Sequence, residues 1–114
     1  MSDCLFCKMV KGEIKPAVVY ETEHVLAFRD IRPQAPVHVL VIPKLHIATL
    51  DDLPEERPDL AHALLHAAQA IARQEGLAAG GYRTVINCRG DAGQEVYHLH
   101  VHILGGRRLG WPPG

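Results

Sequence analysis

No run of apolar residues in this 114-residue sequence is longer than four, as at Val39–Ile42, whereas a membrane-spanning helix needs roughly 18. The sequence therefore reads as a soluble protein with no membrane partner. The N-terminal stretch carries an acid at Asp3 and lacks the apolar core of a signal peptide, so the cytoplasm is the expected compartment. An excess of basic charge is missing too. Twelve Lys plus Arg stand against 13 Asp plus Glu, a net charge of −1, and without a basic face to displace counterions no nucleic-acid partner is expected. Three Cys are an odd number, unsuited to a disulfide framework. Gly-x-Gly-x-x-Gly and Walker-type loops are absent, which counts against a Rossmann or P-loop nucleotide site.

Lysine is also scarce: four Lys against eight His. Any phosphate-bearing ligand must then be held by local geometry and not by a general positive field. With 47% apolar and 22% charged residues, the composition is that of a globular protein. Its length suits one domain, residues 1–114, which on folding buries roughly two thirds of the extended-chain surface.

Leu5–Lys11, closed by Gly12 and capped near Asp3 or Cys4, predicts a short N-terminal helix. Val18–Glu21 and Val25–Arg29 flank a polar turn and predict a hairpin. Val37–Ile42, bounded by prolines and rich in β-branched residues, predicts a strand buried on both faces. Over Pro58–Gly76 the period changes: Leu60, Leu64, Ala67, Ala68 and Ile71 share one face of a helix, and His62, His66, Gln69 and Arg73 the other. Tyr82–Asn87 and Val96–Leu104 predict two further strands, and residues 105–114 an irregular tail. The result is an α+β fold: an about five-stranded, largely antiparallel sheet with one long helix and a short N-terminal helix.

His98, His100 and His102 alternate with Leu99, Val101 and Ile103. In a strand, alternate side chains point to opposite faces, which puts three imidazoles on one face and three aliphatic residues in the core. Such a face suits either of two chemistries. An H-x-H pair can ligate a catalytic zinc ion, which also requires a third ligand and a general base. Alternatively a neutral imidazole attacks phosphorus and forms a phospho-histidine that water then hydrolyses. Gly90-Asp91-Ala92-Gly93-Gln94 precedes the strand, and its glycines let backbone N–H groups turn toward an anion; this favours phosphorus chemistry.

The run His98-Leu99-His100-Val101-His102-Ile103-Leu104 resembles the signature of the histidine triad family. The likeness extends over Leu26–Ile31, Pro33–Lys44, Gly93–Tyr97 and the ending Gly105-Gly106-Arg107 with Trp111–Gly114, in family order. It is similar above all to the Hint branch, the purine nucleoside phosphoramidases. The resemblance implies a homodimer whose sheets join, and hydrolysis of purine nucleoside 5′-phosphoramidates, with aminoacyl adenylates as further substrates, to the monophosphate and an amine. It implies His100 as the nucleophile, His102 as the residue that bonds the phosphate or bridging group, and His98 with His46 as orienting groups. Asp30 would take the ribose hydroxyls. Leu5, Phe6, Met9, Ile14, Phe28 and Ile31 match purine-pocket positions, with plain core as the alternative. Asn87, Gln94 and the backbone around Val96 would face the phosphate and leaving group. The alternatives are a dinucleotide polyphosphate hydrolase and a non-catalytic nucleotide- or zinc-binding module.

Two departures stand out. Glu95 occupies a position where many Hint proteins carry Ser. Cys4-x-x-Cys7 is missing from many of them, yet other branches of the superfamily bind structural zinc with such a pair and two histidines matching His46 and His98. The alternative is a metal-free thiol pair, and no cofactor is required for the reaction itself. The zinc and orienting roles compete for His98. A redox role for the pair would require it to open a helix after a strand. His62 and His66 read as a solvated helix face, His24 as a turn residue, His38 as a strand residue beside Leu40 and Ile42, and Cys88 as a small buried hydrophobe.

Overall fold

The polar turn after Glu21 closes the first hairpin. The backbone N–H of Thr22 donates to the Val25 carbonyl at 2.9 Å, and its hydroxyl oxygen accepts from the N–H groups of His24 and Val25. In the computed structural model, which describes residues 3–114, this turn joins β1 (Val18–Glu21) to β2 (Val25–Arg29). Next comes β3 (Val37–Pro43), then, beyond the long helix, β4 (Tyr82–Val85) and β5 (Val101–Gly105). The sheet runs β1-β2-β3-β5-β4, antiparallel throughout. The α+β reading with five antiparallel strands holds.

Strand alternation sorts the apolar residues into two cores. On one face Val25, Ala27, Val39, Val41, Val101 and Ile103 meet α2 (Pro58–Gln74) through Leu60, Leu64, Ala67, Ala68 and Ile71. The proline at the first helical position suits an N-terminus, where an N–H has no intrahelical partner. On the other face Leu26, Phe28, Leu40 and Ile42 pack against Phe6 of the short α1 (Leu5–Val10). Burial of both faces accounts for the largely apolar β2 and β3.

The last strand departs from its predicted span of Val96–Leu104. Pairing with β3 begins only at Val101, opposite Val41. Pro43 ends β3 without an N–H to donate, its carbonyl takes a bond from the His98 ring, and the N–H of Leu99 turns to the Ile47 carbonyl instead. Residues 96–100 are therefore free to aim their side chains away from the sheet. The predicted strand over Tyr82–Asn87 likewise stops at Val85. The tail after β5 is irregular but tied down. Arg107 donates to the Gln34 carbonyl and Arg83 to that of Gly110. Gly106 opens it at φ 94°, and a Cβ there would lie 2.8 Å from Pro36 Cβ.

Candidate active site and metal centre

The face of the sheet opposite α2 carries a cleft of about 890 Å3, bounded by α1, residues 14–17 and 28–32, and the segment before β5. Leu5, Phe6, Met9, Ile14, Phe28 and Ile31 line its apolar part; Asp30, His38, Asn87, Glu95, His100 and His102 line the rest, with Val96. Phe6 packs edge-to-face with three rings, those of Phe28 (5.4 Å), His100 (5.3 Å) and His98 (5.8 Å). This edge-to-face packing is favourable beyond simple area burial.

Hydrogen bonds assign the tautomers. His100 Nδ1 donates to the His98 carbonyl at 2.8 Å, which leaves Nε2 with its lone pair. His38 Nδ1 accepts from the Gln34 backbone N–H at 3.0 Å. The His38 proton is therefore on Nε2, which donates to His102 Nδ1 at 2.9 Å and lies 3.4 Å from Asp30 Oδ2. With Nδ1 accepting, His102 carries its proton on Nε2. One ring is thus poised as a nucleophile and its neighbour, 5.1 Å away between centroids, as a donor. Burial pushes the His102 pKa from 6.5 down to about 4, assisted by His100 and His38 and opposed by Asp30. His38 is lowered for the same first reason, against Asp30. His38 and His102 are therefore neutral at pH 7.

His98 and His46 do not line this cleft. They meet the cysteine pair at the start of α1. His98 Nδ1 is 3.4 Å from Cys4 Sγ and 3.6 Å from Cys7 Sγ; His46 Nδ1 is 3.2 Å from Cys7 Sγ and 3.1 Å from His98 Nδ1. With metal–ligand bonds of about 2.0–2.3 Å, donors at the corners of a tetrahedron sit roughly 3.3–3.8 Å apart. The four separations lie close to that spacing, and all four donor atoms are within 4.8 Å of one another. The outer shell fits as well. His98 Nε2 donates to the Pro43 carbonyl at 2.8 Å, which turns the Nδ1 lone pair toward the thiols. His98 is completely buried, and burial takes its pKa to about 4; Cys7 is raised, by burial first and then by Cys4.

The remaining sequence-derived positions divide. Asp30 Oδ1 accepts the Arg32 N–H at 2.8 Å, which fixes the carboxylate at the rim of the cleft. Gln94 is buried and outside the lining. Its carbonyl accepts from Arg89 N–H, and its amide donates to the carbonyls of Ala48 and Val96, so it clamps the 89–96 loop. His38, which sequence reasoning left as a strand residue, is the further ring that the structure brings against His102. Only the β3–β5 register, with Leu40 opposite His102, brings its ring to the triad. An isolated His in an apolar strand carries no such signal.

A family model described as the HIT domain matches residues 11–109. The 14 kDa zinc-binding protein of Zea mays is 50% identical over 99% of this chain and 89% of its own length. The purine nucleoside phosphoramidase of Escherichia coli (strain K12) is 45% identical over 95% of this chain and 91% of its own. The crystal structure of a HIT family hydrolase from Legionella pneumophila Philadelphia 1 matches with a TM-score of 0.96 at 54% identity, covering 98% of this chain and 100% of that one.

Proposed function

The chain belongs to the HIT domain family, and from that premise we propose that it hydrolyses purine nucleoside 5′-phosphoramidates through a nucleotidyl-His100 intermediate. The observation that carries this reading is the complementary pair of tautomers, a free Nε2 on His100 beside a protonated Nε2 on His102. The purine lies among Phe6, Phe28 and the exposed Ile31, and the ribose hydroxyls meet Asp30.

His100 Nε2 attacks phosphorus, the P–N bond to the amine breaks, and the leaving nitrogen, hydrogen-bonded by His102 Nε2–H, takes a proton from solvent water. His100 then carries Nδ1–H and phosphorus on Nε2, a cationic ring that the His98 carbonyl stabilises. Water attacks phosphorus and gives up a proton to solvent, matching the one the amine took; the P–Nε2 bond breaks, and the monophosphate leaves with His100 neutral again. His102 and His38 remain neutral donors in their ground state, because their burial disfavours a standing charge.

Cys4, Cys7, His46 and His98 would hold a structural zinc ion. A closed two-sulfur, two-nitrogen site supplies folding energy and no open position for a substrate. In this reading His98 serves the reaction through its backbone carbonyl. The same reading includes a homodimer, supported by the open edge of β4 beside exposed Tyr82 and Leu65. It also includes a cytoplasmic setting, in keeping with the absence among the described residues of any helix long and apolar enough to cross a membrane.

Rapid-quench intact mass after mixing with adenosine 5′-phosphoramidate tests the function. The wild type should show an AMP adduct and release AMP; His100→Ala should do neither. Equal behaviour of the two proteins, or faster turnover of diadenosine tetraphosphate than of the phosphoramidate, would refute it.

A further inference from the structure

The order of strands gives the cleft two unlike sides. His100 and His102 lie just before β5 and on it, and the order β1-β2-β3-β5-β4 sets β2 to one side of them and β4 to the other. Phe28, Asp30 and Ile31, where the proposed function seats purine and ribose, belong to β2 and the turn after it; Asn87, Gly93 and Glu95 belong to the connection that leaves β4 and returns to β5. A nucleotide seated on the β2 side with its phosphorus at His100 directs its amine toward the β4 side. The two sides also differ in charge. Lys15, Arg29 and Arg32 surround Asp30 on the first, whereas Glu95 is the one charged side chain lining the second. Glu95 is exposed, and among the described residues its carboxylate is in no ion pair. Its backbone is anchored, because the Gln94 amide donates to the carbonyls of Ala48 and Val96. Tyr82 and Leu65 border the groove beside α2, so the surface assigned to the homodimer lies on the other face of the sheet.

We propose that Glu95 sets the leaving-group specificity of the reaction, favouring an amine that carries a second, positively charged nitrogen over a neutral one, and a neutral one over an amine that carries a carboxylate. The inference rests on the phosphoramidase reading. An exposed carboxylate interacts weakly with a charge across water, so the expected factor is about threefold per unit charge, or about tenfold between a cationic and an anionic amine. The effect is a selectivity among substrates and not a contribution to the chemical step, which His100 and His102 perform.

The test compares adenosine 5′-phosphoramidates of 1,2-diaminoethane, propylamine and glycine, which are similar in size and differ in charge. Each is assayed with the full-length wild type and with Glu95→Gln, so that the intrinsic reactivities of the three amines cancel. Relative to the propylamine substrate, Glu95→Gln should lower kcat/KM for the diamine substrate and raise it for the glycine substrate by about threefold each; Glu95→Lys should carry both changes further in the same direction. Raising salt from about 0.02 M to about 0.5 M should shrink the wild-type preference. A change by one common factor for all three substrates would make Glu95 merely structural, and this result, or no change at all, overturns the proposal. Absence of turnover of all three by the wild type would refute the phosphoramidase reading instead. Calorimetric binding of the 2-aminoethyl and ethyl esters of AMP, which requires no P–N cleavage, then decides the role of Glu95: tighter binding of the aminoethyl ester by the wild type but not by Glu95→Gln upholds it, and equal binding of the two esters by the wild type overturns it.

Discussion

His98 and His102 lie on one short segment, and burial takes both ring pKa values down to about 4, yet the two rings face different chemistry. His98 meets two thiols and another imidazole, a soft, closed donor set. His102 ends a chain from Asp30 through His38, with its second nitrogen left toward a cleft. Burial makes each ring neutral; the neighbours decide what the neutral ring can do. His100, between them, is joined to both regions. It receives its orientation from the His98 carbonyl, and Phe6 packs edge-on against His98 and His100 alike.

The largest expected effect separates the two regions outright. His100→Ala should lower kcat/KM by about 10,000-fold or more, as loss of a covalent nucleophile does, while zinc content and melting temperature stay near wild type. A parallel loss of metal would merge the two regions into one site. His38→Ala comes next, with an expected fall in kcat of about 10–100-fold, the scale on which a residue orienting another acts. KM should move far less. Under the proposed function His38 positions His102, so a KM change without a kcat change would assign it to substrate binding instead.

Those two substitutions also mark what the sequence made legible. The three-histidine face stood out because strict alternation with Leu99, Val101 and Ile103 leaves few other readings, and the resemblance to the histidine triad family singled out His100 within it. The hairpin, β3 and α2 were legible for the same reason, since each carries a clear period bounded by turn residues or proline. His38 was not legible, because its role exists only through the register that pairs β3 with β5. The direction of the His98 ring was not legible from alternation; only the resemblance to zinc-binding branches offered it a place with Cys4, Cys7 and His46. Alternation places it with His100 and His102, but the chain leaves the sheet after Pro43 and the ring turns to Cys4 and Cys7 instead. Gln94 faced the same difficulty. An amide in a glycine-containing loop suits an anion, and only the folded loop shows its bonds directed to Arg89, Ala48 and Val96.

Cys4→Ser addresses the other region. Its thiol accepts the Cys7 N–H at the start of α1 as well as facing His98, so the substitution weakens a helix cap and a metal ligand together. Elemental analysis should find zinc reduced from about one equivalent to a minor fraction. The melting temperature should fall by about 10 °C, the shift expected when a ligand held well above its Kd is lost. Enough activity should remain at low temperature to show that the His100 chemistry does not pass through the metal. Zinc retained in full by Cys4→Ser would dissolve the distinction from the metal side.

The smallest effect is a slope against pH, and its sign follows from His102. Folded, this ring has a pKa of about 4 because of burial; unfolded, it returns to about 6.5. Between these values the unfolded chain binds a proton that the folded chain does not, so stability rises with pH across the window and is lost as pH falls from about 6.5 toward 4. One such group contributes a slope of no more than about 1.4 kcal/mol per pH unit. His98 adds a slope of the same sign, so the informative quantity is the difference between wild type and His102→Gln, obtained by urea unfolding at several pH values. The difference should open below pH 6.5 and close again near neutrality, because Gln cannot take up the proton. Parallel curves through the whole window would mean that His102 titrates alike in both states, and its contrast with His98 would then rest on partners alone.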